Sequence, residues 1–144
     1  MLRTVVSHLE AINLHKTDLD VKGVAFEQFM DGFFKGDFGQ YFTPRPIIEF
    51  AVKMTAPEHD WDVLDTSCGS GGFLLYALDY IRHQATEYYE KGSADHYRYW
   101  HDFAEKHLYG IEINDEIARV AKMNMIVHDD GHTNVISYDA LESI

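Results

Sequence analysis

The sequence predicts an α/β fold in which strands and helices alternate around a parallel sheet. Three short apolar segments have the pattern of strands, at residues 62–65, 108–113 and 135–139. The segments between them carry apolar residues at helical spacing, and strands that alternate with helices form parallel sheets with right-handed crossovers. The 144 residues are enough for one compact domain and too few for two.

Helices are predicted ahead of the first strand. Apolar residues at helical spacing predict one helix over the first fifteen residues and another from Phe26 to Phe33, broken around Gly36 and Gly39. A third helix is expected to begin near Thr43, which can cap it, and to reach Pro57. Its expected buried stripe is Ile47, Ile48, Ala51 and Met54.

Two further helices follow the first and second strands. Apolar spacing predicts one from Phe73 to Ile81, and Asn114 is placed to cap another that extends to Val127. Residues 82–107, rich in His and Tyr, are expected to form a solvated two-helix insertion that lies over the sheet, with a break at Gly92 and Ser93. The alternative is a metal site or a base-stacking platform. No pair of its histidines has the spacing of a familiar zinc motif, so no metal ligand is predicted.

Composition limits the functional classes that are possible. The net charge is −12, from 12 basic and 24 acidic residues, so a domain of this kind repels bulk nucleic acid and leaves most phosphate contacts to a partner. No apolar run is long enough for a membrane span, and the opening residues lack a signal-peptide pattern. The single cysteine, Cys68, excludes an internal disulfide, and a cytoplasmic location is expected.

A glycine-rich loop directly follows the first strand, at residues 65–72 (Asp-Thr-Ser-Cys-Gly-Ser-Gly-Gly). Ligands of open α/β sheets bind beyond the carboxyl ends of the strands. A phosphate-binding Walker loop would need a lysine after these glycines, and a dinucleotide fingerprint would need a third glycine where Leu74 stands. S-adenosylmethionine has no phosphate and carries an ammonium and a sulfonium. A carboxylate next to exposed backbone groups therefore suits S-adenosylmethionine better than it suits a nucleotide phosphate.

Two more carboxylates are expected at the same edge of the sheet. Glu112 ends the second strand, where it can accept hydrogen bonds from two ribose hydroxyls; the alternative is a surface acid. Asp139 ends the third strand, where it can accept from an adenine amino group or cap the next helix.

Several motifs in this order resemble a known family, the modification subunits of type I restriction-modification systems, which are adenine-N6 DNA methyltransferases. The most specific is residues 39–45 (Gly-Gln-Tyr-Phe-Thr-Pro-Arg), which resembles the family's motif ahead of the first strand. The glycine-rich loop and residues 109–112 (Tyr-Gly-Ile-Glu) match the next two motifs, and residues 121–125 and 138–141 also resemble family segments. The family has Pro-Ala where Thr66 and Ser67 stand here, which implies a less rigid loop.

The resemblance implies a partial Rossmann-like methyltransferase fold with S-adenosylmethionine as cofactor. It divides the chain into an N-terminal helical segment, residues 1–38, and the first half of the cofactor-binding domain, residues 39–144. The residues expected around the cofactor are Gln40, Tyr41, Phe42, Thr43, Pro44 and Arg45 on its methionine side, Asp65, Gly69, Ser70, Gly71 and Gly72 around its amino-acid portion, Glu112 at the ribose and Asp139 at the adenine.

The family's catalytic tetrapeptide, Asn-Pro-Pro-Phe or Tyr, does not occur in these residues, so no catalytic residue is predicted. The resemblance implies DNA, a specificity subunit and a restriction subunit as partners. A non-enzymatic cofactor-binding module, or a methyltransferase acting on RNA or protein glutamine, is the alternative. The family's fourth strand pairs with the first, so this fragment is expected to expose that edge and either to self-associate or to be marginally stable.

Overall fold

The computed structural model of the protein describes residues 43–129 and 134–142. These residues form four helices and three strands, with the following bounds: α1 Arg45–Thr55, β1 Val63–Asp65, α2 Gly72–Tyr88, α3 Ala94–Lys106, β2 Leu108–Glu112, α4 Asp115–Val127 and β3 Val135–Ser137. The helices predicted over residues 1–15 and 26–33 lie outside the described residues, and the division at residue 38 stays a prediction.

The three strands form one parallel sheet in the order β1-β2-β3. Asp65 at the end of β1 pairs with Gly110 of β2, and Glu112 at the end of β2 pairs with Ser137 of β3. The helices between these strands are the crossovers that a parallel sheet requires, so the predicted α/β class is confirmed. In the described part of the chain, β1 pairs on one side only.

All three strands are shorter than predicted, and β2 ends at Glu112, one residue before the predicted end. Asp62 lies outside β1, and its carboxylate Oδ1 contacts His107 Nδ1 at 2.8 Å. The strand begins at Val63, whose amide donates to the His107 carbonyl. β3 ends at Ser137, so Asp139 lies in the turn that follows it. Both carboxyl ends still point to the edge of the sheet at which the loop lies.

Helix α1 differs from its prediction in two respects. Pro44, not Thr43, precedes its first residue, and no side chain caps it, so the predicted Thr43 cap is wrong. The buried residues are Ile48 and Val52, whereas Ile47 and Met54 are 55% and 69% exposed. Ile48 and Val52 are four residues apart and share the helix face that packs against α2. Because each residue of a helix is rotated by about 100° from the one before, the neighbouring Ile47 faces away from α2.

The core lies between the sheet and helices α2, α3 and α4, the last of which contributes Ala118, Ala121 and Met125. Helix α2 contributes Leu74, Leu75, Ala77, Leu78 and Ile81 to it, and runs on to Tyr88. Helix α3 begins after Gly92 and Ser93 as predicted, with the Ser93 hydroxyl capping it. Its Trp100, Phe103 and Ala104 join the same core, so the predicted insertion is not solvated at this helix. Residues 82–88 continue α2, so the insertion has one helix of its own and not the predicted two.

Helix α4 is capped as predicted. The Asn114 side-chain oxygen accepts from the amides of Glu116 at 2.9 Å and Ile117 at 3.2 Å, and the helix reaches Val127. None of the helices in the described ranges is long and apolar enough to span a membrane.

Candidate functional site

The loop between β1 and α2 is a tight turn that two glycines make possible. Gly69 and Gly71 have φ values of 53° and 84°, a region that other residues rarely adopt. The Cys68 amide donates to the Ile111 carbonyl at 2.9 Å, and the Gly71 amide to the Cys68 carbonyl at 2.8 Å. The loop therefore packs directly against the end of β2, where the next acidic side chain lies.

Glu112 is held by the backbone on both of its oxygens. Its Oε2 accepts from the Gly69 amide at 3.0 Å, and its Oε1 accepts from the Asn114 amide at 2.9 Å. The residue is 6% exposed, so it is not a surface acid. Each carboxylate oxygen has capacity for a further hydrogen bond, which leaves Glu112 able to accept from a ligand.

Asp65 lies at the end of β1 beside the same loop. Its Oδ1 accepts from the Ser67 amide at 3.1 Å. Burial raises the pKa of the Asp65 carboxyl above its ordinary value, the Ser67 hydrogen bond opposes this, and the negative charge of Glu112 adds to the increase. A positively charged ligand group would relieve both unfavourable effects, so the position favours a cation.

Cys68 is buried in the middle of the loop. Burial, together with the charges of Asp65 and Glu112, raises the pKa of its thiol to about 12. The thiol is therefore neutral at physiological pH and acts as a small apolar group rather than as a nucleophile.

Gly110 allows β2 to approach the loop. A Cβ atom there would lie 2.7 Å from Leu74 Cδ1, closer than real Cβ atoms come, and 3.1 Å from Cys68 Sγ, a contact tighter than most real ones. The glycine of the Tyr-Gly-Ile-Glu segment is thus a packing requirement.

Asp139 forms a turn after β3. Its Oδ1 accepts from the Leu141 amide at 2.9 Å, and its carbonyl accepts from the Glu142 amide at 3.0 Å. The side chain thus closes a local turn, while the Tyr138 amide holds this segment to β2 by donating to the Glu112 carbonyl at 3.1 Å.

A cavity of about 710 Å³ opens at these strand ends, within the range of small-molecule sites. Seven of the residues predicted to bind cofactor line it: Thr43, Asp65, Gly69, Ser70, Gly72, Glu112 and Asp139. Pro44, Arg45 and Gly71 are not among its lining residues. Gly71 faces α4 instead, where an added Cβ would lie 3.7 Å from Ala121 and Met125. Gln40, Tyr41 and Phe42 lie outside the described residues.

Sequence reasoning missed the apolar wall of the cavity. Ile113 follows Glu112 and is largely exposed, and Leu141 is 96% exposed. Nothing local to either residue signals this role, because the segments after β2 and β3 meet only in the folded sheet. The further lining residues that were not predicted are Ile48, Thr66, Ser67, Cys68, Phe73, Ile117, Tyr138 and Ala140.

One group of possible metal ligands lies away from this cavity, on α3. Ligand atoms of His101, Asp102 and Glu105 all lie within 4.8 Å of one another. Lys106 already pairs with Asp102, its Nζ lying 3.3 Å from the carboxylate. The group therefore gives no reason to assign a metal.

Known proteins share both the sequence pattern and the fold. A sequence model of the N-6 DNA Methylase family matches residues 17–143. The type II restriction enzyme and methyltransferase RM.BcgI of Heyndrickxia coagulans is 31% identical over 130 residues, covering 87% of this chain and 18% of that protein. The type I restriction enzyme EcoEI methylase subunit of Escherichia coli is 28% identical over 130 residues, covering 89% and 25%.

A crystal structure of a modification subunit of a putative type I restriction enzyme from Vibrio vulnificus YJ016 superposes with a TM-score of 0.69. It is 23% identical and covers 97% of this chain and 28% of that one. This likeness confirms the predicted methyltransferase-type fold. The chain spans a quarter or less of the length of the two relatives named above. Because the family model matches most of its residues, the chain belongs to the N-6 DNA methylase family.

Proposed function

We propose that this chain binds S-adenosylmethionine and forms the cofactor-binding part of an adenine-N6 DNA methyltransferase, the modification subunit of a type I restriction-modification system. One observation carries the proposal. The buried carboxylate of Glu112 and the carboxyl of Asp65 line one cavity together with a glycine-rich loop that lacks the lysine of a phosphate site.

The charges of the cavity fit the cofactor. S-adenosylmethionine brings an ammonium and a sulfonium. Burial and the charge of Glu112 both disfavour the ionised form of Asp65, and a nearby positive charge would stabilise that form. We assign the methionine portion to Asp65, Gly69, Ser70 and Gly72, with Gly71 supporting the loop from behind.

The remaining lining residues fit the nucleoside portion. Glu112 retains acceptor capacity for the ribose hydroxyls, and Asp139 offers an acceptor for the adenine amino group. The exposed side chains of Ile113 and Leu141 supply apolar surface for a flat ring. Residues 40–45 are assigned to the methionine side by resemblance, and Thr43 supports this because it lines the cavity.

When bound, S-adenosylmethionine supplies an activated methyl group on its sulfonium. The described residues would bind and orient it: Asp65 would hold the ammonium of its methionine portion, and Glu112 would hold the ribose hydroxyls. No Asn-Pro-Pro-aromatic tetrapeptide occurs in the 144 residues. We therefore assign them no step in methyl transfer, and propose that residues elsewhere in the full protein aim the target amino group.

We propose that DNA, a specificity subunit and a restriction subunit are partners of the full protein. The type I relative supports the subunits, and the family description supports DNA over RNA or protein glutamine. The net charge of −12 supports phosphate contacts made mainly by other parts of the assembly. A cytoplasmic location goes with this proposal, because the cofactor and the DNA substrate are intracellular.

Calorimetric titration tests the cofactor assignment. We expect saturable binding of S-adenosylmethionine and S-adenosylhomocysteine, and none of ATP or NAD at the same concentrations. ATP or NAD binding in place of the two sulfur compounds would overturn the assignment.

Transfer of a labelled methyl group tests the reaction. The full-length protein with its partner subunits is expected to label unmethylated duplex DNA at adenine N6. Label that appears in RNA or in protein glutamine instead would replace DNA as the substrate.

A further inference from the structure

A side chain outside the cavity holds the glycine-rich loop in place. The Asn124 side-chain nitrogen, on α4, donates to the carbonyl oxygen of Ser70 at 2.8 Å. Asn124 is 5% exposed, and it is not among the residues that line the cavity. Any effect it has on a ligand must therefore pass through the loop.

The loop needs such a restraint because of its glycines. Gly69 and Gly71 flank Ser70 with positive φ values, and glycine has more accessible backbone conformations than any other residue. Glu112 restrains one flank through the Gly69 amide, and Asn124 restrains the Ser70 carbonyl. These two bonds come from different elements, the first from the end of β2 and the second from α4.

The face of α4 that carries Asn124 is in close contact with the loop. A Cβ atom on Gly71 would lie 3.7 Å from both Ala121 Cβ and Met125 Sδ, and both of these residues are fully buried. The loop therefore rests on a rigid surface, and the amide of Asn124 sets its position along that surface.

Stability alone does not account for an asparagine at this position. Its Oδ1 atom is buried and has no hydrogen-bond partner among the described residues. A buried, unpaired acceptor destabilises a fold, which an apolar side chain of similar size would avoid. The bond from the Asn124 amide to Ser70 is the interaction that an apolar residue could not supply.

We propose that Asn124 is a positioning residue for cofactor binding, which fixes the Ser70 carbonyl and thereby the loop amides that face the ligand. This inference rests on the proposed function, since it assumes that the loop contacts S-adenosylmethionine. It adds a residue on the far side of the loop, to which sequence reasoning gave no role.

Two substitutions in the full chain test this role. Asn124→Asp replaces the donor with a carboxylate that repels the Ser70 carbonyl, and Asn124→Leu removes the donor without adding charge. We expect each to weaken S-adenosylmethionine binding about tenfold or more, the loss expected for one buried hydrogen bond. Calorimetry gives the affinity, and hydrogen exchange of residues 66–72 is expected to accelerate in both variants.

Val120→Ala is the matched control, because Val120 is buried on the same helix. It is expected to lower the melting temperature while leaving S-adenosylmethionine affinity within about twofold, since it removes packing but no bond to the loop. Wild-type affinity and unchanged loop exchange in Asn124→Leu would overturn the role of Asn124 alone. A wild-type protein that binds no S-adenosylmethionine would overturn the proposed function and this inference with it.

Discussion

The Oε2 atom of Glu112 lies 3.0 Å from the amide nitrogen of Gly69, and this bond joins the end of β2 to the loop after β1. The same carboxylate lines the cavity. Glu112 therefore has two tasks, to fix the loop and to face the ligand, and substitutions must be designed to separate them.

Glu112→Gln is expected to weaken S-adenosylmethionine binding about tenfold to a hundredfold, because hydrogen bonds to a charged group contribute about 1.5–3 kcal/mol. Wild-type protein is also expected to bind a 2′-deoxyribose analogue of S-adenosylhomocysteine less tightly than the parent compound. The variant should lose most of this discrimination, measured by calorimetry.

Glu105→Gln serves as the control, since Glu105 is exposed on α3 and does not line the cavity. Its affinities should equal those of the wild type. Discrimination against the deoxy analogue that persists in Glu112→Gln would remove the ribose assignment.

Asp65→Asn is expected to stabilise the fold at neutral pH and to weaken cofactor binding. Because the folded-state pKa of Asp65 is raised, the native state holds this proton to higher pH than the unfolded chain does. The stabilising contribution is therefore present at low pH and is lost as the pH rises through the raised pKa. The asparagine variant escapes this loss, by up to about 1 kcal/mol given the partial exposure of the site.

Denaturant unfolding at pH 4 and pH 7 measures the difference in unfolding free energy between Asp65→Asn and the wild type. This difference should be smaller at pH 4. The affinity of the wild type for S-adenosylmethionine should fall with decreasing pH as Asp65 takes up its proton, and that of Asp65→Asn should depend less on pH. A variant less stable than wild type at pH 7 would contradict the electrostatic account.

Gly110→Ala is expected to destabilise the fold by about 1–3 kcal/mol, the usual effect of overpacking a core. The new methyl would meet Leu74 Cδ1 at 2.7 Å and Cys68 Sγ at 3.1 Å. Adding Leu74→Val should recover part of the loss, so the double variant should be less destabilised than the sum of the two single ones. If the losses of unfolding free energy in the two single variants add up to the loss in the double variant, the contact with Leu74 is not the cause of the destabilisation.

Cys68 is expected to resist alkylation in the folded protein. With a pKa of about 12, roughly one thiol in ten thousand is ionised at pH 8, and the thiolate is the reactive form. Mass spectrometry after iodoacetamide treatment should show modification in denaturant and almost none without it. Rapid labelling of the native protein would mean that the loop opens readily.

The 144-residue chain is expected to self-associate through β1, which pairs on one side only within the described residues. Leu64, in the middle of that strand, is more than half exposed, and unpaired strand edges favour intermolecular pairing. Sedimentation should show a mass that rises with concentration, and Leu64→Lys should reduce it. A monomer at all concentrations, with a high melting temperature, would contradict this expectation.

The alternation of elements could be predicted because it depends on local patterns. Asn114 occupies the cap of α4, and Gly92 and Ser93 separate two helices, as their residue types indicate. The buried face of α1 could not be predicted, because four apolar residues spread around a helix do not reveal which side meets α2. Burial of Trp100 and Phe103 was missed because the charges between them suggested a solvated segment.

The strand-end acids and the loop could be predicted because parallel strands bring their carboxyl ends to one edge. Leu141 and Ile113 were missed because only the folded sheet brings the segments after β2 and β3 to one cavity. The bond from Asn124 to Ser70 spans 54 residues, and nothing local to either residue indicates it.

The pairing of β1 with β2 also sets a spacing. Asp65 pairs with Gly110, and Glu112 lies two residues further along the same strand, on the same face of the sheet. Two residues of a strand advance about 6.6 Å, so the register fixes the separation of Asp65 and Glu112 along the strand direction. A single-residue insertion in β2 would turn Glu112 to the opposite face, and the cavity would lose its central acid while the sheet kept all three strands.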